Sequence, residues 1–168
     1  MKNNSTELFP IIDEQGHTIG KSTRKECHNG SKLLHPVIHL QIFNKRGNLY
    51  LQKRAMNKDI QPGKWDTAVG GHVDYGESIE DALFRETREE LGITDFSPTF
   101  SFSYIFESEI EKEMVYSYDG LIVPDKDEVE TGRFWCINEI EQNIGKQIFT
   151  PNFEIEFQRL QSYLKGLL

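Results

Sequence analysis

Cysteine is scarce: only Cys27 and Cys136 occur in 168 residues. A disulfide framework is therefore excluded as the basis of the fold, and reduced thiols with packing roles are expected, although Cys27 beside His28 has the chemistry of a ligand or nucleophile. No run approaches the ~18 apolar residues of a membrane span, and residues 1–7 lack the apolar centre of a secretory leader. Basic residues are outnumbered, 19 against 27 acidic, for a net charge of −8. That balance argues against a broad surface for nucleic acid or anionic membrane, so any phosphate contact must be local. Internal repeats and low-complexity tracts are also missing. The expectation is a cytoplasmic chain with no nucleic-acid and no membrane partner; a homodimer is left open.

What is present suits one globular domain. Hydrophobic residues make up 37% and aromatics 11% of a chain long enough for one well-buried core and too short for two ordinary domains. Residues 1–168 read as a single domain, with a hairpin and loop extension over 1–34 and the core over 35–168.

In chain order, residues 8–22 predict a hairpin around the turn Asp13-Glu14-Gln15-Gly16. A polar connection over 23–32 leads to a strand from Val37 to Phe43, a turn at 44–48 and a strand from Leu49 to Arg54. The next loop carries Arg54, Lys58 and Lys64, a local positive concentration suited to a diphosphate. After a helix over 79–91, strands are expected over 99–107 and 113–123, separated by an acidic turn at 108–112, then over 132–137. Asn138 would cap a short helix over 139–144. Pro151 or Asn152 would open a last helix reaching Leu164, with Phe153, Phe157, Leu160 and Leu164 on one stripe. Strands flanking a central helix, with helices at the end, predict an α/β (α+β) arrangement, a mixed sheet sandwiched between helices.

The most informative stretch is Gly71 to Ile93. Ser78 is placed to cap the helix and Gly92 to stop it. On a helical wheel Ile79 and Leu83 define the apolar stripe, Glu86 and Glu90 fall within about 20° of Ile79, and Glu89 lies on the flank beside Ala82. Carboxylates sharing a side with core residues cost several kcal/mol per ion unless cations compensate them. Arg85 and Arg88 lie elsewhere on the wheel, which leaves a hard divalent cation as the fitting partner.

Gly71, Glu77, Arg85, Glu86, Glu89, Glu90, Gly92 and Ile93 stand at the spacing G-x5-E-x7-R-E-U-x-E-E-x-G-U, with U apolar, and the chain thereby resembles the Nudix hydrolases. Thr87 departs from the pattern at the first U. The resemblance implies a Nudix fold and a MutT-like pyrophosphohydrolase dependent on Mg²⁺ or Mn²⁺. Gly71, Glu86, Glu89 and Glu90 would hold the metal, and Arg85 would orient the glutamates. The general base is open among Glu89, Glu113, Glu128 and Glu130.

A second constellation, R-K-E-C-H-N-G-S-K-L-L-H-P followed by R-A-M-N-K and W-D-T-A-V-G-G-H, resembles the isopentenyl-diphosphate isomerase branch of that superfamily. The resemblance implies a metal site of His28, His35 and His72 with Glu111 and Glu113, and diphosphate contacts from Arg54 and Lys58. The isomerases place a catalytic cysteine where Gly70 stands here, and glycine offers no acid, base or nucleophile. The intact Arg85, Glu86, Glu89 and Glu90 favour hydrolysis of a diphosphate bond in an X-linked nucleoside or other organic diphosphate. The alternatives are an isomerase-like enzyme and a non-catalytic ligand-binding domain.

Overall fold

The structure, a computed structural model, describes residues 6–168 except positions 59, 108 and 128 and the side chain of Glu111. β1 (Leu8–Ile12) and β2 (Thr18–Thr23) form a separate antiparallel sheet. The turn between them is held by Asp13, whose carboxylate accepts from the backbone N–H of Gln15 and His17 at 3.0 and 2.8 Å. The polar connection that follows contains a helical turn that the sequence reading missed, α1 (Arg24–Cys27). Its signal is T-R-K-E: Thr23 and Glu26 make a reciprocal capping box.

The main sheet is mixed and built around β3 (His35–Phe43), which starts two residues before the expected Val37. β4 (Leu49–Arg54), β5 (Trp65–Asp66) and β6 (Val69–His72) follow, the last antiparallel to β3. α2 (Ile79–Leu91) runs as expected: Ser78 Oγ accepts from Asp81 N–H, and Gly92 ends the helix at φ 67°. β7 (Thr99–Phe106) and β8 (Glu109–Ser117) form a hairpin, and β8 pairs in parallel with β3 from His35↔Glu109 to Phe43↔Ser117.

This pairing overturns the expected acidic turn at 108–112. Glu109, Ile110, Glu111 and Lys112 are strand residues, whereas Leu121 to Val123 lie beyond the strand. β9 (Val129–Trp135) begins three residues early and pairs with β4. α3 (Ile137–Asn143) is capped at Cys136 without a side-chain bond, so Asn138 is not its cap. α4 (Pro151–Leu164) is opened by Thr150, whose hydroxyl accepts from Phe153 N–H at 3.2 Å, with Pro151 in the first turn.

Side-chain alternation assigns the two faces. Ile38, Leu40 and Ile42 of β3 pack with Ala82, Leu83 and Leu91 of α2. On the other side Leu49, Leu51 and Trp135 pack with Phe153, Phe157 and Leu160 of α4, while Leu164 is exposed. Helices thus cover both faces. His35, Val37, His39 and Gln41 point away from α2, and every functional feature below follows from that alternation. Cys27 is buried, Cys136 is exposed, and both are free thiols.

Candidate active site

The α2 face carries the first site. Glu86 and Glu90 are buried, 6% and 5% exposed, whereas Glu89 keeps 53% of its side chain exposed and lies 3.9 Å from Arg85. The wheel placed all three carboxylates on the core side; the fold buries two and leaves Glu89 on the rim, because its flank position turns it outward.

Burial pushes the Glu90 carboxyl up to about 8, with Glu86 adding repulsion and Gln52, donating at 3.0 Å, opposing it. Burial likewise raises Glu86 against the lowering effect of Arg85. Two apposed buried carboxylates in this condition favour a cation. Lys58 is the ammonium whose charge acts on both, and its own pKa is lowered by burial.

Arg85 fixes the cradle. Nε and Nη2 each donate to Glu77 at 2.8 Å, Nη2 also donates to His72 O at 3.0 Å, and Nη1 donates to Glu86 Oε1 at 2.7 Å. One planar fork thereby ties the segment before α2 to the helix and aims Glu86.

The other two residues expected to hold phosphate are placed differently. Arg54 donates to Ile60 O at 3.1 Å and lies 3.4 Å from Asp66, so its guanidinium is partly engaged, and Lys64 lies at the loop's far end, its carbonyl accepting from Arg54 N–H. Among the candidate bases, Glu130 is paired with Lys53 at 2.9 Å, and Glu128 lies outside the described residues.

The opposite face carries a second site, with a partner that sequence reasoning missed. His28, His35, His72 and Glu109 bring ligand atoms within 4.8 Å of one another. Glu109, paired with His35 across the β3–β8 ladder, stands in the cluster where Glu113 was expected. Glu113 is four residues further along β8, about 13 Å at strand rise, opposite His39; the Glu111 side chain lies outside the described residues. The signal for Glu109 was the alternation from Glu109 to Glu113, which the acidic-turn reading obscured.

His35 is fully buried, and its Nδ1 lies 2.8 Å from Leu33 O. That carbonyl accepts a hydrogen bond from Nδ1–H, which turns Nε2, buried and without a hydrogen-bond partner among the described residues, toward Glu109 at 3.4 Å. His28 Nε2 and His72 Nε2 are 3.0 Å apart, and burial pushes His72 down to about 4, favouring neutral imidazole. Phe9 stacks on His72 with centroids 4.5 Å apart and fixes the ring. Arg24 Nη1 lies 3.3 Å from His72 Nδ1 and 3.6 Å from Glu7.

Between the two sites runs β6. Gly71 faces α2 and Gly70 faces His39, so the strand is a partition with glycine on both sides.

The chain is similar to known proteins in sequence and in fold. An uncharacterised Nudix hydrolase of Listeria monocytogenes is 35% identical over 156 residues, spanning 88% of this chain and 90% of that protein. The isopentenyl-diphosphate Delta-isomerase of Mycolicibacterium vanbaalenii is 34% identical over 135 residues, spanning 74% and 75%. The crystal structure of DR0079 from Deinococcus radiodurans shares the fold, with a TM-score of 0.82 at 21% identity over 91% of this chain and 98% of that one. Residues 33–153 match the NUDIX domain model, and with the cradle of Glu86, Glu90, Arg85 and Gly71 in place the chain belongs to the Nudix family.

Proposed function

We propose that this single-domain chain is a divalent-metal-dependent hydrolase of a diphosphate bond in a small organic diphosphate. The observation that supports this most is the pair of buried, apposed carboxylates, Glu86 and Glu90, of which Glu86 is paired with Arg85. The donor set is all oxygen, which suits Mg²⁺ or Mn²⁺, and Gly71 leaves room for the carboxylates. A bound divalent cation supplies charge neutralisation on the phosphates and a more acidic water.

The chain's own groups supply the rest. Glu86 and Glu90 hold the cation, Arg85 and Glu77 fix Glu86 in place, and Lys58 offers an ammonium to a phosphate oxygen. Glu89, exposed at the rim of the cradle, accepts the proton of the attacking water. Arg54 and Lys64 contribute positive charge to the outer phosphate once Arg54 yields its long contact with Asp66. His28, His35, His72 and Glu109 would hold a second ion on the opposite face, and the unpartnered Nε2 of buried His35 is the donor that fits this.

Isomerisation is the second reading, favoured by that histidine cluster and set back by Gly70. A Cβ at position 70 would lie 3.1 Å from His39 Cδ2 and 3.2 Å from Nε2, so the site is built around the missing side chain.

The deciding experiment supplies Mg²⁺ or Mn²⁺ and compares phosphate release from a panel of nucleoside and prenyl diphosphates with interconversion of the two five-carbon diphosphates. Hydrolysis that falls about 100-fold or more in Glu90→Gln and Glu86→Gln is expected. Undiminished hydrolysis in both variants would overturn the assignment, and isomerisation without hydrolysis would install the second reading.

A further inference from the structure

We propose that His39, Glu113 and Glu156 form a buried binding site for one divalent transition ion, Zn²⁺ or Mn²⁺, separate from both the Glu86/Glu90 cradle and the His28/His35/His72 cluster. The three residues come from β3, β8 and α4, and their ligand atoms lie within 4.8 Å of one another. All are at least nine-tenths buried: His39 is 8% exposed, Glu113 and Glu156 0%.

The charge balance calls for a cation. His39 Nδ1 lies 2.5 Å from Glu156 Oε2 and 3.2 Å from Glu113 Oε1. Burial and the neighbouring Glu113 charge raise the Glu156 carboxyl, the mark of two acids crowded into one pocket, and among the described residues neither makes an ion pair with lysine or arginine. Uncharged side chains add further contacts. Gln41 Nε2 donates to Thr67 Oγ1 at 2.8 Å and approaches Glu113 at 3.4 Å while touching Glu156 Oε1, and Tyr104 Oη lies 3.4 Å from Glu156 Oε2 while donating to Asn152 at 2.8 Å.

A second observation is independent of charge. Glu113 Oε1 is buried, sits inside the cluster and has no hydrogen-bond partner, because the Nδ1 proton is directed at Glu156; Gln41 Oε1 is also buried and unpartnered. An unmade hydrogen bond in such a place costs about 1–3 kcal/mol, and an ion would satisfy that oxygen directly. Ligand atoms about 3.3 Å apart suit an ion with bonds of 2.0–2.2 Å, close to the 3.2 Å between His39 and Glu113.

The donor set selects the ion. One imidazole with two carboxylates suits Zn²⁺ or Mn²⁺, while Mg²⁺ would need several waters in a site with almost no exposure. On binding, the ion takes the Nδ1 lone pair, the Nδ1 proton leaves to solvent, and both carboxylates become acceptors for the ion. The edge of the His39 ring packs against Gly70, where a Cβ would lie 3.1 Å from Cδ2.

The test uses the full chain, stripped with chelator, equilibrated with Zn²⁺ or Mn²⁺, dialysed and analysed for bound metal. His39→Gln and Glu156→Gln are each expected to lose one equivalent that His72→Ala retains. A second measurement does not depend on those variants folding. Zn²⁺-loaded His28→Ala/His72→Ala protein leaves this cluster untouched, and its X-ray absorption spectrum is expected to show an ion with one imidazole nitrogen and oxygen ligands. Wild-type stoichiometry in folded His39→Gln and Glu156→Gln, or no imidazole-ligated ion in the double variant, would overturn the proposal and leave a proton-sharing network in its place. Loss of hydrolysis with an intact equivalent here would count against the proposed function alone.

Discussion

The Glu86 carboxylate occupies the volume that a side chain on Gly71 would need: a Cβ there would lie 2.3 Å from Glu86 Cδ and 2.4 Å from Oε1. Arg85 holds that carboxylate at 2.7 Å, so moving it aside strains this bond. Gly71→Ala is expected to displace Glu86, lower Mn²⁺ affinity and hydrolysis at least 10-fold, and reduce stability by about 1–3 kcal/mol. Unchanged metal titration and turnover would remove Gly71 and Glu86 from the cradle.

Glu77 supplies a pH dependence that does not involve the metal-binding carboxylates. Burial raises its pKa, but the two bonds from Arg85 outweigh burial and hold the carboxyl below its ordinary 4.5. A lowered folded pKa means that the unfolded chain binds more protons near and below 4.5, so this stabilisation is complete above that value and is lost as pH falls through the folded one. Glu77→Gln is expected to cost about 1–3 kcal/mol at pH 7 and to flatten the acid limb below pH 4.5. Denaturant melts of both proteins between pH 3 and 7 would show parallel limbs if the pair were inert.

Thr87 stands where the family pattern asks for an apolar residue, and the structure shows the cost. It is fully buried, and its Oγ1 has no hydrogen-bond partner among the described residues. Thr87→Val keeps the shape and removes the stranded hydroxyl, so a gain of about 1 kcal/mol is expected with hydrolysis unchanged. A loss of stability on thermal or urea unfolding would mean that the hydroxyl has a partner.

His72→Ala should remove one equivalent of Mn²⁺ or Zn²⁺ from the His28/His35/Glu109 cluster and leave the Glu86/Glu90 equivalent in place. His35→Ala should do the same, with a larger loss of stability because His35 is fully buried. Metal analysis of dialysed protein reads both, and full stoichiometry in the two variants would make these histidines structural.

Local signals were readable in the sequence and ladder partners were not. The helix over 79–91 was legible because Ser78, Gly92 and the apolar stripe all agree, and the same stripe exposed Glu86 and Glu90 as anomalies. Glu156 carried the same kind of signal, three residues after Phe153 inside the stripe of α4, and was passed over because the stripe alone accounted for the helix. Glu109 was hidden for another reason. Its neighbour His35 is 74 positions away, and a parallel pairing between β3 and β8 leaves no local mark. The exposure of Glu89 also needed the structure, since a wheel gives an angle but not the depth of the groove that meets it.

The two glycines of β6 also constrain how this chain could change its chemistry. A side chain at position 70 would crowd His39, whose Nδ1 is anchored to Glu156, so residues 39 and 70 compete for one space. A reactive group installed at 70 therefore displaces the His39 ring by a few tenths of an ångström and strains its contact with Glu156. A new group on one side of β6 is thereby felt by the buried carboxylates on α4 and β8, and the two changes are coupled.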